Sequence, residues 1–199
     1  MSDVPRQPGE DGRPRRGLHL TAEEAVDFAA DLAQRRAGAL VEAGRYEEAI
    51  GVYDEEARSY RALLRGATGL TPDPAAARRQ GLHLGKVLSE IGSLNARLRR
   101  GDEALEYTAE ALAVLRGLGA VDSGLTAYVL SRALWGYAWV RAGLGVELGS
   151  ALGAVQEAEA LLRNLAADPP PSLVDAVTGD LPVVQAFHAH LSDRYAAER

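Results

Sequence analysis

The residues of this chain best suited by type to do chemistry are its histidines and its paired carboxylates. His188-Ala-His190 invites a metal reading, and His19 and His83 are the other two imidazoles. On a helix, side chains two residues apart point about 200° around the axis, so the pair cannot grip one ion. No Cys exists to assist, and neither His-x-x-x-His nor His-Glu-x-x-His occurs. The histidines therefore read as partly exposed helix residues, and no metal is expected. Adjacent carboxylates stand at Glu23-Glu24, Glu47-Glu48, Glu55-Glu56 and Asp102-Glu103. Acid–base work would need a cleft that shifts one of their pKa values. First helical turns and exposed faces are where they fall, beside the helix dipole and arginines one turn away. Gly143-Leu-Gly145 and Gly149 lack the Lys-Ser/Thr of a phosphate loop and the strand that precedes a dinucleotide-binding turn. There is no Gly-x-Ser-x-Gly nucleophile elbow. The expectation is a chain without a catalytic site or cofactor, not an enzyme.

Whatever these side chains do, the elements that position them are helices. The 199 residues suit one domain or one repeat array with a substantial core. Aromatics are only 6% of a composition that is 47% hydrophobic, so Ala, Leu and Val must build that core. A formal charge of -6 argues against a nucleic-acid surface. The absence of cysteine removes disulfides, thiolate zinc sites and a Cys nucleophile together, and fits a reducing cytoplasm. Lys86 is the only lysine among 22 basic residues, which reads as the codon bias of a GC-rich genome. No apolar run reaches the ~20 residues of a membrane span and no signal-peptide core opens the chain, so a cytoplasmic protein without membrane contact is expected.

Residues 1–17 are rich in Pro, Gly and charge and read as a disordered tail, followed by one helical domain over 18–199. Thr21-Ala-Glu-Glu24 fits a capping box that starts a first helix running to about Ala43. Gly44-Arg45 breaks it, and a second helix follows from Tyr46 to about Leu64. Gly69, Pro72 and Pro74 separate these from a third helix over about 75–99. Gly101 turns the chain into a fourth, over about 102–115. A fifth covers about 123–142, ended by Gly143-Leu-Gly145, and a sixth about 148–165. Asp168-Pro-Pro-Pro171 stops it. A short helical turn near 172–177 precedes a last helix that starts at Asp180-Leu-Pro182, with Pro in its first turn. No segment alternates as a strand does, so the fold class is all-α.

The second helices of successive pairs align on Glu48-Ala49-Ile50, Glu103-Ala104-Leu105 and Ser150-Ala151-Leu152. A small residue is wanted there because the first helix of the same hairpin crosses at that point. Leu88, Ile91-Gly92, Ala104 and Ala111 stand at spacings that resemble the tetratricopeptide repeat, with Asn95 and Thr108 where larger groups are usual. Trp135-Gly136, Trp139, Ala151 and Ala158 resemble it in the third pair. Ala43 to Ile50 with Tyr53 looks like the turn and second helix of a first repeat. The likeness spans about residues 22–165, although Ala49, Ala104 and Ala151 lie 55 and 47 residues apart rather than the family's 34.

The resemblance implies a right-handed stack of three antiparallel helix hairpins over about 22–66, 74–117 and 122–167. A capping helix over about 180–198 would close it, with Val183, Val184, Phe187, Leu191 and Tyr195 as its apolar face. In that family the first helix of each pair lines a concave groove that holds a partner protein or peptide. Carried over, Asp31, Gln34 and Arg35 come from the first pair, Lys86, Ser89, Glu90, Ser93 and Arg97 from the second, and Leu134, Tyr137 and Arg141 from the third. The expected site is thus Arg35, Lys86, Ser93, Arg97, Tyr137 and Arg141, with the cations forming a basic strip suited to a carboxylate. Ser93 stands where the chaperone-binding members carry Asn, so chaperone tails are not expected. An adaptor, scaffold or regulatory partner is the leading reading. A sensor closing its groove on a small signalling molecule, with Trp135, Tyr137 and Trp139 as reporters, is the alternative. Self-association into a homo-oligomer through a terminal hairpin is a third.

Overall fold

The computed structural model describes the backbone of residues 22–66, 73–119 and 123–198, and side chains from residue 29 onward. The proposed tail over 1–17, His19, the Thr21 capping box and the side chains of Glu23, Glu24 and Phe28 lie outside the described residues. Seven α-helices follow one another, and no strand occurs among the described residues: α1 (Ala22–Glu42), α2 (Tyr46–Leu64), α3 (Pro74–Arg97), α4 (Gly101–Gly117), α5 (Gly124–Leu144), α6 (Leu148–Ala167) and α7 (Val174–Ala197). No described helix is long and apolar enough to cross a membrane.

Local chemistry explains most of the boundaries. Asp73 caps α3, its carboxylate accepting the backbone N–H groups of Ala75 (2.7 Å) and Ala76 (2.9 Å), with Pro74 at the first helical position. Those two hydrogen bonds hold the Asp73 carboxyl below the usual carboxylate range. Ser123 caps α5 by accepting from Thr126 N–H at 3.1 Å. Gly145 ends α5 in the left-handed region at φ 69°, as the glycine pattern leads one to expect.

Two boundaries differ from the sequence expectation. Between α3 and α4 it is Arg99, at φ 60°, that takes the left-handed turn, and Gly101 is the first residue of α4. Leu144 presses on Gly101 there, so that a Cβ would sit 3.2 Å from Leu144 Cδ2. The last helix starts at Val174 after a 3-10 turn over Pro171–Leu173, and Pro182 lies inside it rather than in its first turn. Pro182 has no N–H to give the Thr178 carbonyl. Thr178, Gly179 and Pro182 all face solvent, where water can satisfy that carbonyl and the helix continues.

Each helix packs on the next along the chain, α3 also packs on α5, and α7 touches α5 as well as α6. Small residues allow the closest approaches. Ala49, Ala104 and Ala151 are completely buried. Gly92 of α3 lies so close to α4 that a Cβ there would meet Thr108 Cγ2 at 2.5 Å and the Ala104 carbonyl at 3.3 Å. Asn95 and Thr108, polar where bulk is usual, are buried with their hydrogen bonds turned inward onto their own helices. Asn95 donates to the Ile91 carbonyl (3.1 Å) and Thr108 to the Ala104 carbonyl (2.8 Å). Two apolar clusters result, one of α1 to α3 with Ala111, the other of α4 to α7.

On α7 the apolar face departs from expectation in one position. Val184 and Leu191 are completely buried, whereas Val183 is 49% exposed. His188 turns inward, its Nδ1 2.5 Å from Glu159 Oε2 of α6, while His190 faces solvent. Burial pushes the Glu159 carboxyl up. The His188 hydrogen bond and the Arg163 guanidinium outweigh it and hold the group below its ordinary value. The two histidines diverge, as residues two apart on a helix must.

Candidate functional site

Polar links between alternate helices define two sides of the molecule. On one side Lys86 Nζ of α3 donates to Gln34 Oε1 of α1 at 2.7 Å. Ser89 and Ser93 of α3 face Gly136 of α5, where a Cβ would lie 3.2 Å from Ser89 Oγ. Tyr128 of α5 donates to Asp180 of α7 at 2.9 Å. On the other side Arg61 of α2 donates to Glu110 of α4 at 2.6 Å, and Arg116 of α4 to Glu157 of α6 at 2.6 Å.

A trough of about 540 Å³ lies between α3 and α5 on the first side. Its α3 wall carries Lys86, Ser89, Glu90, Ser93 and Arg97, all of which the sequence places on a groove face. Its α5 wall carries Tyr128, Arg132, Trp135, Gly136 and Trp139. The chain has two tryptophans, and both are here.

Charge in the trough is arranged from end to end. At one end the Arg132 guanidinium lies 5.4 Å from the centre of the Trp135 ring and donates to Asp180 at 3.2 Å. Burial works against its charge, but Asp180 outweighs burial and holds the guanidinium above its usual value. Burial and Asp180 together push the neighbouring Tyr128 hydroxyl up, so it stays a neutral donor. At the other end Arg97 lies 5.8 Å from the centre of the Tyr46 ring, a weak cation–π contact for an exposed guanidinium. Trp139, 42% exposed, forms the open lip. The Trp135 Nε1–H is buried and finds no acceptor among the described residues.

Beneath Lys86 lies a group the sequence gave no reason to single out. Glu56 of α2 is 7% exposed, although the reading of the carboxylate pairs expects such residues on exposed faces. Gln34 Nε2 donates to its Oε1 at 3.4 Å, and its Oε2 has no partner among the described residues. Burial raises the Glu56 pKa, opposed by the Gln34 hydrogen bond and the Lys86 charge. A raised carboxyl pKa contributes stability that is present below the ordinary value of 4.5 and is lost as pH rises through the folded value. Glu56→Gln keeps the acceptor for Gln34 and removes the charge. The variant is expected to unfold at a higher temperature than the native chain at pH 7, with the two midpoints converging below pH 4.5. Thermal melts at both pH values check this.

The expected site residues thus divide. Lys86, Ser93 and Arg97 share the trough. Arg35 is exposed on α1 and is not one of its lining residues. Tyr137 lines a second depression of about 480 Å³ between α4 and α6 on the other side, and Arg141 packs against its ring and donates to Thr108 Oγ1 of α4 at 3.4 Å. Arg141 is only 5% exposed there, stacked 3.4 Å from the centre of the Tyr137 ring and donating to Glu147 at 3.0 Å. Leu134, also expected on the groove face, is completely buried. The α5 residues that line the trough are Arg132, Trp135 and Trp139, a face turned away from Leu134. Residues 132, 135, 136 and 139 form that face, three and four apart on the helix.

No protein-family model matches the sequence, and no curated protein matches it.

Proposed function

We propose that the chain is a tetratricopeptide-like right-handed stack of three antiparallel hairpins, α1–α2, α3–α4 and α5–α6, with α7 as its cap. In this reading it is a non-enzymatic adaptor, scaffold or regulatory partner, and the trough between α3 and α5 holds another protein or peptide. The packing order along the chain and the close crossing at Gly92, Ala104 and Thr108 support the hairpin reading. The observation that carries the functional reading is the trough itself, with two tryptophans on one wall and cations at both ends. Aromatic and Arg side chains exposed in a concave surface are the usual anchors of a protein contact.

The trough's volume also falls in the small-ligand range of roughly 300–1,000 Å³, which keeps the sensor reading in view. Its α3 wall runs eleven residues from Lys86 to Arg97, roughly 16 Å, which favours a chain lying along it.

Affinity capture from the native host with the full chain and with Trp139→Glu tests the reading. A partner retained by the native chain should be lost by Trp139→Glu and kept by Ser150→Glu, which alters the opposite depression. Equal retention by all three would remove the trough as the site.

A further inference from the structure

The trough's hydrogen-bonding groups are unevenly matched, and the imbalance points to the chemistry of what fills it. This inference rests on the reading of the trough as the partner site.

On the donor side, the Trp135 Nε1–H is buried without an acceptor. Closed off from solvent, it is out of a ligand's reach, so the donors a ligand can meet are the two cations of the α3 wall. Lys86 uses one proton on Gln34 and is otherwise exposed. Arg97 has a ring beside it and makes no ion pair among the described residues. On the acceptor side, Glu90 is the one carboxylate lining the trough. It stands one turn from Lys86 and two turns from Arg97 on α3, and Glu56 also lies by Lys86, so the Arg97 end is the more attractive to an anion.

Lys86 and Arg97 are eleven residues apart on one helix, a rise of roughly 16 Å. An extended peptide advances about 3.3 Å per residue and alternates faces, so two same-face side chains four residues apart span about 13 Å, and their own reach covers the rest. Trp135 and Trp139 then face the stretch between them.

We propose that the trough binds an extended acidic peptide segment, with carboxylates four residues apart on Lys86 and Arg97 and an apolar side chain against Trp139. The bidentate fork of Arg97 suits a carboxylate. The two ion pairs lie in water and are individually weak, so selectivity comes from having both ends and the indole filled at once.

The two tryptophans make the test direct, because indole emission reports on this trough and nothing else in the chain. The probe is a blocked pentapeptide with glutamate at positions one and five and leucine at its centre, titrated into the full chain at low salt. The expected result is a saturable change in tryptophan emission, weakened at least tenfold when both glutamates become glutamine. Lys86→Ala and Arg97→Ala should each weaken it severalfold, with circular-dichroism melts confirming that the variants are folded. Arg116→Ala, on the opposite side, should leave it unchanged. Equal affinity for the glutamine peptide, or tighter binding of a lysine counterpart, would overturn the acidic chemistry while leaving the trough as the partner site. Free glutarate binding as tightly as the peptide would replace it with a small-molecule site. No emission change with any of these probes at millimolar concentration would overturn both.

Discussion

Gly92→Ala is expected to lower the thermal unfolding midpoint by about 2–8 °C, whereas Gly153→Ala raises it by up to about 4 °C. Both glycines are inside helices, where alanine is favoured by up to about 1 kcal/mol. Their surroundings decide the sign. Around Gly153 nothing lies within 4 Å of an added Cβ, so the propensity gain stands. At Gly92 the same atom meets Thr108 Cγ2 at 2.5 Å, Thr108 N at 3.2 Å and the Ala104 carbonyl oxygen at 3.3 Å. Two of those three are backbone atoms, and the Thr108 hydroxyl is held by the Ala104 carbonyl, so rotating one side chain does not relieve the contact. The helices must separate. Overpacking of that kind costs about 1–3 kcal/mol and exceeds the propensity gain. A pair of melts under identical conditions checks both signs, and a stable Gly92→Ala would mean that α3 and α4 do not cross closely there.

Leu134→Ala is expected to be the more damaging substitution, costing about 2–5 kcal/mol. Leu134 is completely buried in the cluster that joins α4 to α7. Its removal leaves a cavity that three packed helices can only partly close. Trp139→Ala, five residues on, removes a larger side chain that is 42% exposed, and should cost under about 1 kcal/mol. Urea unfolding of the two variants therefore reads the rotation of α5 directly. The reverse order of effects would put Leu134 on the groove and Trp139 in the core.

The helices themselves were largely legible in the sequence because their punctuation is chemical: Gly44-Arg45 after α1, Pro72 and Pro74 at the start of α3, Gly143-Leu-Gly145 after α5. The last helix was not, because Pro182 reads as a start. Only the structure shows that Pro182 lies on an exposed stretch inside the helix, with Thr178 and Gly179 exposed beside it. On α3 the groove face could be read from periodicity, since apolar Leu84, Val87, Leu88 and Ile91 sit opposite Lys86, Glu90 and Arg97. On α5 it could not. That helix is packed by α3, α4, α6 and α7 together and is apolar or aromatic on almost every side. With no polar stripe to orient it, Leu134, Tyr137 and Arg141 were as plausible a face as Arg132, Trp135 and Trp139. Arg141 illustrates the difficulty, because its charge suggests exposure while Glu147 and the Tyr137 ring enclose it. Glu56 was illegible for a related reason: its neighbour Glu55 is exposed, and nothing in the adjacent pair says which of the two turns inward.

The central claim is that a partner lies in the trough between α3 and α5. It is tested most directly by placing a photoreactive side chain at position 139 in one preparation and at position 153 in another. Each is irradiated in the native host's extract, and the adducts are compared. Position 139 is on the lip of the trough, and position 153 lines the depression on the opposite side. The account predicts a discrete adduct from position 139 that excess glutamate pentapeptide suppresses, and none from position 153. An adduct from position 153 alone, or one from position 139 that the peptide does not affect, would contradict it.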